Sequence, residues 1–106
     1  VWEETTVNES KQKTGAAPNI VHSLDAVHLT MCIHDADYIT TVVHDSFGCH
    51  AGNMNNMFMH VRQKFVDLYK AEPLENILQQ LNATDLSPRK GTLNVESVLE
   101  SDFAFA

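Results

Sequence analysis

A predicted β-hairpin at about residues 38–51 constrains the fold of this 106-residue chain more than any other segment. The β-branched run from Thr40 to Val43 favours a strand, and residues 47–51 are able to return as a second short strand. Two short strands make only a marginally stable sheet by themselves. We therefore expect an α+β fold in which helices pack this hairpin and the sheet is incomplete without strands from elsewhere.

The predicted hairpin carries an acid at its tip. Asp45 lies between His44 and Ser46, directly after the apolar strand. A carboxylate there costs free energy unless a helix terminus, a cation from another segment or a metal ion compensates its charge. Mg²⁺ is commonly bound by one or two carboxylates together with substrate phosphates, so Asp45 is a candidate metal ligand. The pattern leaves open a turn aspartate that bonds its own backbone, and it leaves His44 as either a phosphate-orienting or a hydrogen-bonded turn residue.

About four helices are predicted to pack the hairpin, because apolar residues recur at helical spacing and capping residues precede them. Ser23 is the expected N-cap of the first helix, and His22 before it is either a structural residue or one that faces a ligand at the helix N-terminus. Pro73 is expected in the first turn of the third helix, and Asn94 is expected to cap a short last helix. The first three helices are expected at about 24–36, 53–70 and 73–82.

The first part of the chain has a different character from the rest. Residues 1–18 are polar and irregular and end at a proline, so they predict an extended arm. The chain begins with Val1 rather than Met, which indicates a processed product or a piece of a longer protein. Residues 19–106 are expected to form the folded segment, with a C-terminal tail at about 100–106.

The charge of the chain argues against an isolated nucleic-acid binder. Seven Lys and Arg residues stand against 14 Asp and Glu residues, which gives a formal net charge of −7. A protein that holds a phosphate backbone by itself usually has a basic excess, so other segments would have to supply the cations. No apolar run approaches membrane-spanning length, and no membrane partner is expected.

The two cysteines form no disulfide framework. Without C-x-x-C spacing they predict free thiols in a reducing compartment. A zinc site from His28, Cys32, Cys49 and His50 is an alternative, but neighbouring strand residues such as the last two point to opposite faces. The stretch "HDAD" at 34–37 is interpreted as a solvated turn at the end of the first helix rather than as a metal cluster.

Three stretches together carry a family resemblance. They are "KQKTGAAPNIVHSLDAVHL" (11–29), "VVHDSFGCHA" (42–51) and "GTLNVESVLESDFAFA" (91–106). In this order they resemble the C-terminal end of the phage-type single-subunit DNA-directed RNA polymerases, which bacteriophages and mitochondria share. The triplet "HDS" alone is less specific, since family A DNA polymerases carry a similar His-Asp-Glu turn. The ending "DFAFA" indicates the phage branch of the RNA polymerases.

The resemblance implies a palm subdomain and roles for particular residues. "HDS" would be the third polymerase motif, and Asp45 would be one of two aspartates that bind two catalytic Mg²⁺ ions. His44 would flank that site as a catalytic residue, and Ser46 would contact the substrate or the RNA–DNA hybrid.

Two further parts of the active site are implied in the same way. His22 would face the minor groove of the hybrid near the growing RNA end. Phe105 and Ala106 would form a foot-like tail that folds back toward the active site. The second aspartate, and the helix that holds the nucleotide, are not identifiable in this sequence, so the chain is expected to be inactive by itself.

The implied partners are the remaining part of the polymerase, a DNA template, the RNA product and nucleoside triphosphates. The implied location is the cytoplasm of a phage-infected bacterium, with the mitochondrial matrix as the alternative. Two other functions remain open at this point: the palm segment of a family A DNA polymerase, and a non-catalytic module whose strands complete the sheet of a partner.

Overall fold

The structure is a computed structural model that describes residues 6–105. It contains three α-helices and one antiparallel hairpin, which confirms the predicted α+β class. Short 3₁₀ helices occupy Ala51–Asn53, Thr84–Leu86 and Val95–Leu99. The main elements in chain order are α1 (Glu9–His34), β1 (Thr40–Val43), β2 (Ser46–Cys49), α2 (Met54–Lys70) and α3 (Pro73–Gln80).

Helix α1 begins much earlier than the sequence predicted. Asn8 is its N-cap, and the Asn8 side chain accepts a hydrogen bond of 3.0 Å from the backbone N–H of Lys11. Glu9 in the first turn favours the same start, because a negative charge suits the positive end of the helix dipole. The predicted extended arm over 1–18 is therefore wrong from residue 9 onward, and residues 1–5 lie outside the described part.

Two residues that were expected to delimit the first helix lie inside it. Pro18 occupies the interior of α1, where it removes one backbone donor without ending the helix. Ser23 is not an N-cap, because its hydroxyl donates a 2.7 Å hydrogen bond to the carbonyl of Asn19 one turn earlier. None of the helices within residues 6–105 combines the length and apolar character needed to cross a membrane.

The hairpin has the predicted position and a very short loop. Thr40 pairs with Cys49 and Val43 pairs with Ser46, so only two residues, 44 and 45, connect the strands. Gly48 faces Thr41 closely in this register, since a Cβ atom at position 48 would lie 2.7 Å from the Thr41 hydroxyl oxygen and would force that side chain to shift. The strands therefore approach closely and hold the loop in one place.

The remaining helices follow the sequence prediction closely. Helix α2 begins one residue after the predicted start, and α3 begins at Pro73 as expected. Asn94 does cap the last short element, where its side chain accepts a 3.1 Å hydrogen bond from the N–H of Glu96. That element is a 3₁₀ helix rather than an α-helix.

The hydrophobic core lies between α1, α2 and the hairpin. Cys32, Met57 and Val61 form its buried centre, and side chains of the hairpin region pack against them. The core is small for the chain length: the radius of gyration is 17.5 Å. A compact domain of this length has a radius of about 13 Å. Apolar side chains such as Ile39 and Val43 accordingly remain exposed on the hairpin.

Candidate active site at the hairpin tip

An open cleft of about 840 Å³ lies where the hairpin tip meets α1 and the C-terminal tail. Three segments that are far apart in the sequence line it. Helix α1 and the hairpin form two of its walls, and the tail forms the third. The lining residues are His22, Asp25, Ala26, His28, Leu29, His44, Asp45, Phe47, Ala104 and Phe105.

The cleft collects four of the six residues that were singled out from the sequence. His22 comes from α1, His44 and Asp45 come from the hairpin loop, and Phe105 comes from the tail. Ser46 is exposed at the start of β2 and does not line the cleft. The predicted contact at Ala106 lies outside the described residues.

The hairpin loop holds Asp45 by an uncommon backbone conformation. His44 has φ 55°, in the left-handed region. The favoured two-residue hairpin loops have positive φ at their first position, where Gly, Asn and Asp are the common residues. A side chain in that conformation costs roughly 1–2 kcal/mol, and such strain is concentrated at functional sites. The loop therefore tolerates local strain in order to present His44 and Asp45 side by side.

A buried histidine forms the floor of the cleft. The Nε2 atom of His28 lies 2.9 Å from the carbonyl oxygen of Val61, which accepts a hydrogen bond from the imidazole N–H. The His28 ring stacks on Phe105 at a centroid distance of 5.7 Å, and its edge meets Phe65 at 5.6 Å. His28 thus joins α1, α2 and the tail, and its hydrogen bond orients the ring against Phe105.

A buried arginine holds the tail on the other side. Arg62 is only 2% exposed. Its guanidinium donates hydrogen bonds of 3.1 and 3.4 Å to the Ser101 carbonyl and one of 3.4 Å to the Asp102 carbonyl. The guanidinium carbon also lies 3.3 Å from the centre of the Phe58 ring, a cation–π contact. The tail is therefore attached to α2 just before the residues that line the cleft.

The charge of the cleft is suited to a cation. Asp25 and Asp45 are its carboxylates, and neither forms a salt bridge within residues 6–105. Among the described residues, no Lys or Arg side chain is part of the lining. Carboxylate oxygens are the ligands that Mg²⁺ prefers. In the part of the chain that is described, however, no cluster of three or more His, Cys, Asp or Glu side chains is arranged to hold a metal. Asp45 can therefore belong to a metal site only if segments beyond residues 6–105 supply the other ligands.

The alternative metal sites do not gain support from the structure. Burial raises the pKa of the Cys32 thiol to about 11, so it stays protonated near neutral pH, whereas zinc binds the thiolate. In the "HDAD" stretch, Asp35 accepts a hydrogen bond from Lys64, which lowers the pKa of that carboxyl. Asp35 is thus engaged in an ion pair with α2.

Sequence reasoning missed three residues of the site. His28 was considered only for the zinc alternative, and Asp25 and Arg62 were not singled out. Asp25 follows His22 by three residues, so the helical period alone would place them on one face. Arg62 interrupts an apolar helical stripe, which is the one sequence signal that a buried arginine leaves.

Comparison with known proteins gives the class to which this fold and cleft belong. A family model described as DNA-dependent RNA polymerase matches residues 2–86. The chain therefore belongs to the DNA-dependent RNA polymerase family, and the predicted resemblance to the phage-type enzymes is confirmed.

Individual relatives come from phages and from plants. The chain is 36% identical over 118 residues to T7 RNA polymerase of Escherichia phage T7, across 97% of this chain and 13% of that protein. It is 37% identical over 112 residues to the chloroplastic DNA-directed RNA polymerase 3B of Nicotiana tabacum, of which it spans 12%. It has the same identity to DNA-directed RNA polymerase 1A of that plant, of which it spans 72%. The chain thus corresponds to about an eighth of the long relatives.

Proposed function

We propose that this chain is the palm segment of a DNA-directed RNA polymerase and contributes one metal-binding aspartate to template-directed nucleotidyl transfer. One observation carries the proposal: a single cleft gathers His22, His44, Asp45 and Phe105 from three distant segments of a chain that belongs to this family. The strained loop and the lack of a basic partner for Asp45 within the described chain support the same role.

Asp45 acts as a ligand rather than as an acid or base. Its exposed carboxylate provides oxygen atoms at the mouth of the cleft, and a second aspartate from a segment outside this chain completes the pair. When bound, two Mg²⁺ ions stabilise the charge that develops as an RNA 3′-hydroxyl attacks the α-phosphate of a nucleotide and pyrophosphate leaves. Because this chain supplies only one of the two aspartates, we expect it to be inactive without the rest of the polymerase.

The neighbouring residues position the reactants. His22 lies across the cleft on α1 and faces the minor groove of the RNA–DNA hybrid, where it can contact the 2′-hydroxyl. His44 flanks the metal ligand, and Ser46, which does not line the cleft, contacts the substrate or the RNA–DNA hybrid beside it. Phe105 closes the cleft from the tail side and limits how the 3′ end can sit.

The partners in this proposal are the remaining segments of the polymerase, the DNA template, the RNA product and nucleoside triphosphates. Other segments supply the basic surface that a chain with net charge −7 lacks. The "DFAFA" ending favours a phage enzyme in the cytoplasm of an infected bacterium. The mitochondrial matrix is the alternative, and plant relatives named as chloroplastic or mitochondrial make organelles a location to test as well.

The proposal is tested with the complete polymerase that contains this chain, supplied with a DNA template and Mg²⁺. We expect template-dependent synthesis from ribonucleoside triphosphates and little from deoxyribonucleoside triphosphates. The opposite preference would assign the chain to a DNA polymerase. Tight association with the other segments, without synthesis from either substrate, would indicate that the chain is a non-catalytic module that completes a partner's sheet.

A further inference from the structure

We propose that Arg62 is a positioning residue that holds the C-terminal tail in the wall of the cleft. This inference rests on the proposed polymerase function for its catalytic consequence, but its structural basis is independent. Arg62 lies on α2 and does not line the cleft. It acts through the tail, because Ala104 and Phe105 do line the cleft and the carbonyl groups that Arg62 binds lie just before them.

The hydrogen bonds of Arg62 are concentrated on the tail. Three of its four hydrogen bonds go to the carbonyl groups of Ser101 and Asp102, and the fourth goes to the Phe58 carbonyl one turn earlier on α2. A buried cation is strongly destabilising when its hydrogen-bonding groups are unsatisfied. Undocking of the tail therefore removes three of the four hydrogen bonds that Arg62 donates.

Phe105 connects the tail to the cleft through aromatic contacts near Arg62. The Phe105 ring centre lies 6.0 Å from the Arg62 guanidinium carbon, 5.7 Å from the His28 ring centre and 5.3 Å from the Phe65 ring centre. The tail is thus fixed twice, by hydrogen bonds at residues 101–102 and by ring contacts at Phe105. The first attachment limits the freedom of the chain that leads to the second.

An arginine is needed for this arrangement. Its planar guanidinium donates through Nε and both terminal nitrogens in a fixed fork, which allows it to bind two adjacent carbonyl groups and face a ring at the same time. A lysine keeps the positive charge but carries its donors on one nitrogen at the end of a flexible stem. Arg62→Lys therefore separates the geometry of the contact from its charge.

The direct test measures tail docking in the complete polymerase without any catalytic readout. Chymotrypsin cuts the chain after Phe103 at a rate that follows the fraction of tails that are detached. We expect Arg62→Lys to speed this cleavage at least about tenfold, since it loses charge-assisted hydrogen bonds. Lys64→Arg is the matched control, because it makes the reverse exchange on the same helix at a cation that pairs with Asp35. An unchanged cleavage rate in Arg62→Lys would overturn the inference.

The catalytic test is a double-mutant cycle on kcat/KM with Arg62→Lys and Phe105→Ala. If Arg62 acts through the tail, its substitution lowers kcat/KM in the parent but has little further effect once Phe105 is absent. Equal effects in both backgrounds would show that Arg62 acts by another route and would contradict the proposal. Arg62→Met, which removes every hydrogen bond of the guanidinium, is expected to speed the chymotrypsin cleavage at least as much as Arg62→Lys.

The outcomes separate this inference from the proposed function. If the polymerase assignment failed, because the complete assembly made no RNA, the chymotrypsin cleavage rates would still report on Arg62 and the tail. If Arg62→Lys left the tail docked and kcat/KM unchanged, the positioning role would be wrong while the polymerase assignment stood.

Discussion

Asp45→Asn is expected to reduce RNA synthesis by about a thousandfold or more in the complete polymerase. The substitution preserves the size of the side chain and removes the negative charge that a divalent cation requires. Asp45 lies in a two-residue loop that the strand register fixes, and residues 40–49 contain no other carboxylate that could replace it. The measurement is transcript length and yield in single-turnover extension of an RNA primer on a DNA template.

The matched control for that experiment is Asp37→Asn. Asp37 is an exposed aspartate between α1 and β1, and it does not line the cleft. We expect the control to extend the primer at the parental rate, and both variants to bind template equally well. Near-normal extension by Asp45→Asn would remove Asp45 from the catalytic centre.

Phe105→Ala is expected to lower kcat/KM by roughly ten- to a hundredfold, the range that a small misplacement of reacting groups produces. The Phe105 ring stacks on His28 and meets Phe65 edge to face, so truncation removes both contacts and releases one wall of the cleft. The reaction mechanism is expected to stay the same, because Phe105 is not the proposed metal ligand. Steady-state nucleotide incorporation measures the effect.

Phe103→Ala provides the comparison within the same tail. Phe103 is 86% exposed, whereas Phe105 is 40% exposed and lines the cleft. We expect Phe103→Ala to change kcat/KM less than about twofold, as surface substitutions away from specific contacts usually do. Equal losses in the two variants would mean that the tail acts by its bulk rather than by the position of Phe105.

The hairpin and α2 could be predicted because their signals are local. A β-branched run and a two-residue loop fix the strands within ten residues, and the apolar stripe of α2 is regular throughout. The start of α1 could not be predicted, because Pro18 is a typical helix breaker and Ser23 is a typical N-cap. Both residues lie inside α1 because the helix already begins at Glu9, so neither of them starts or ends it.

The site residues can likewise be divided into those with a local sequence signal and those without one. Asp45 and His44 stand out because a short motif contains them both, and the family resemblance adds His22 and the tail. The contacts of His28 and Arg62 have no such local signal, because their partners lie 33 and 39 residues away in the chain. A polar residue within an apolar helical stripe indicates burial, but only the fold identifies the carbonyl groups that satisfy it.

The central claim is that the cleft at the hairpin tip is the metal site of a polymerase, and iron-dependent cleavage of the polypeptide tests it most directly. Fe²⁺ replaces Mg²⁺ in the complete polymerase, and the hydroxyl radicals it generates with peroxide cut the backbone close to the bound ion. The predicted cuts fall together near residues 22–25, 44–46 and 104–105, and Mg²⁺ or Asp45→Asn suppresses all three. Cuts confined to other parts of the polymerase, with none at the hairpin loop, would contradict the account.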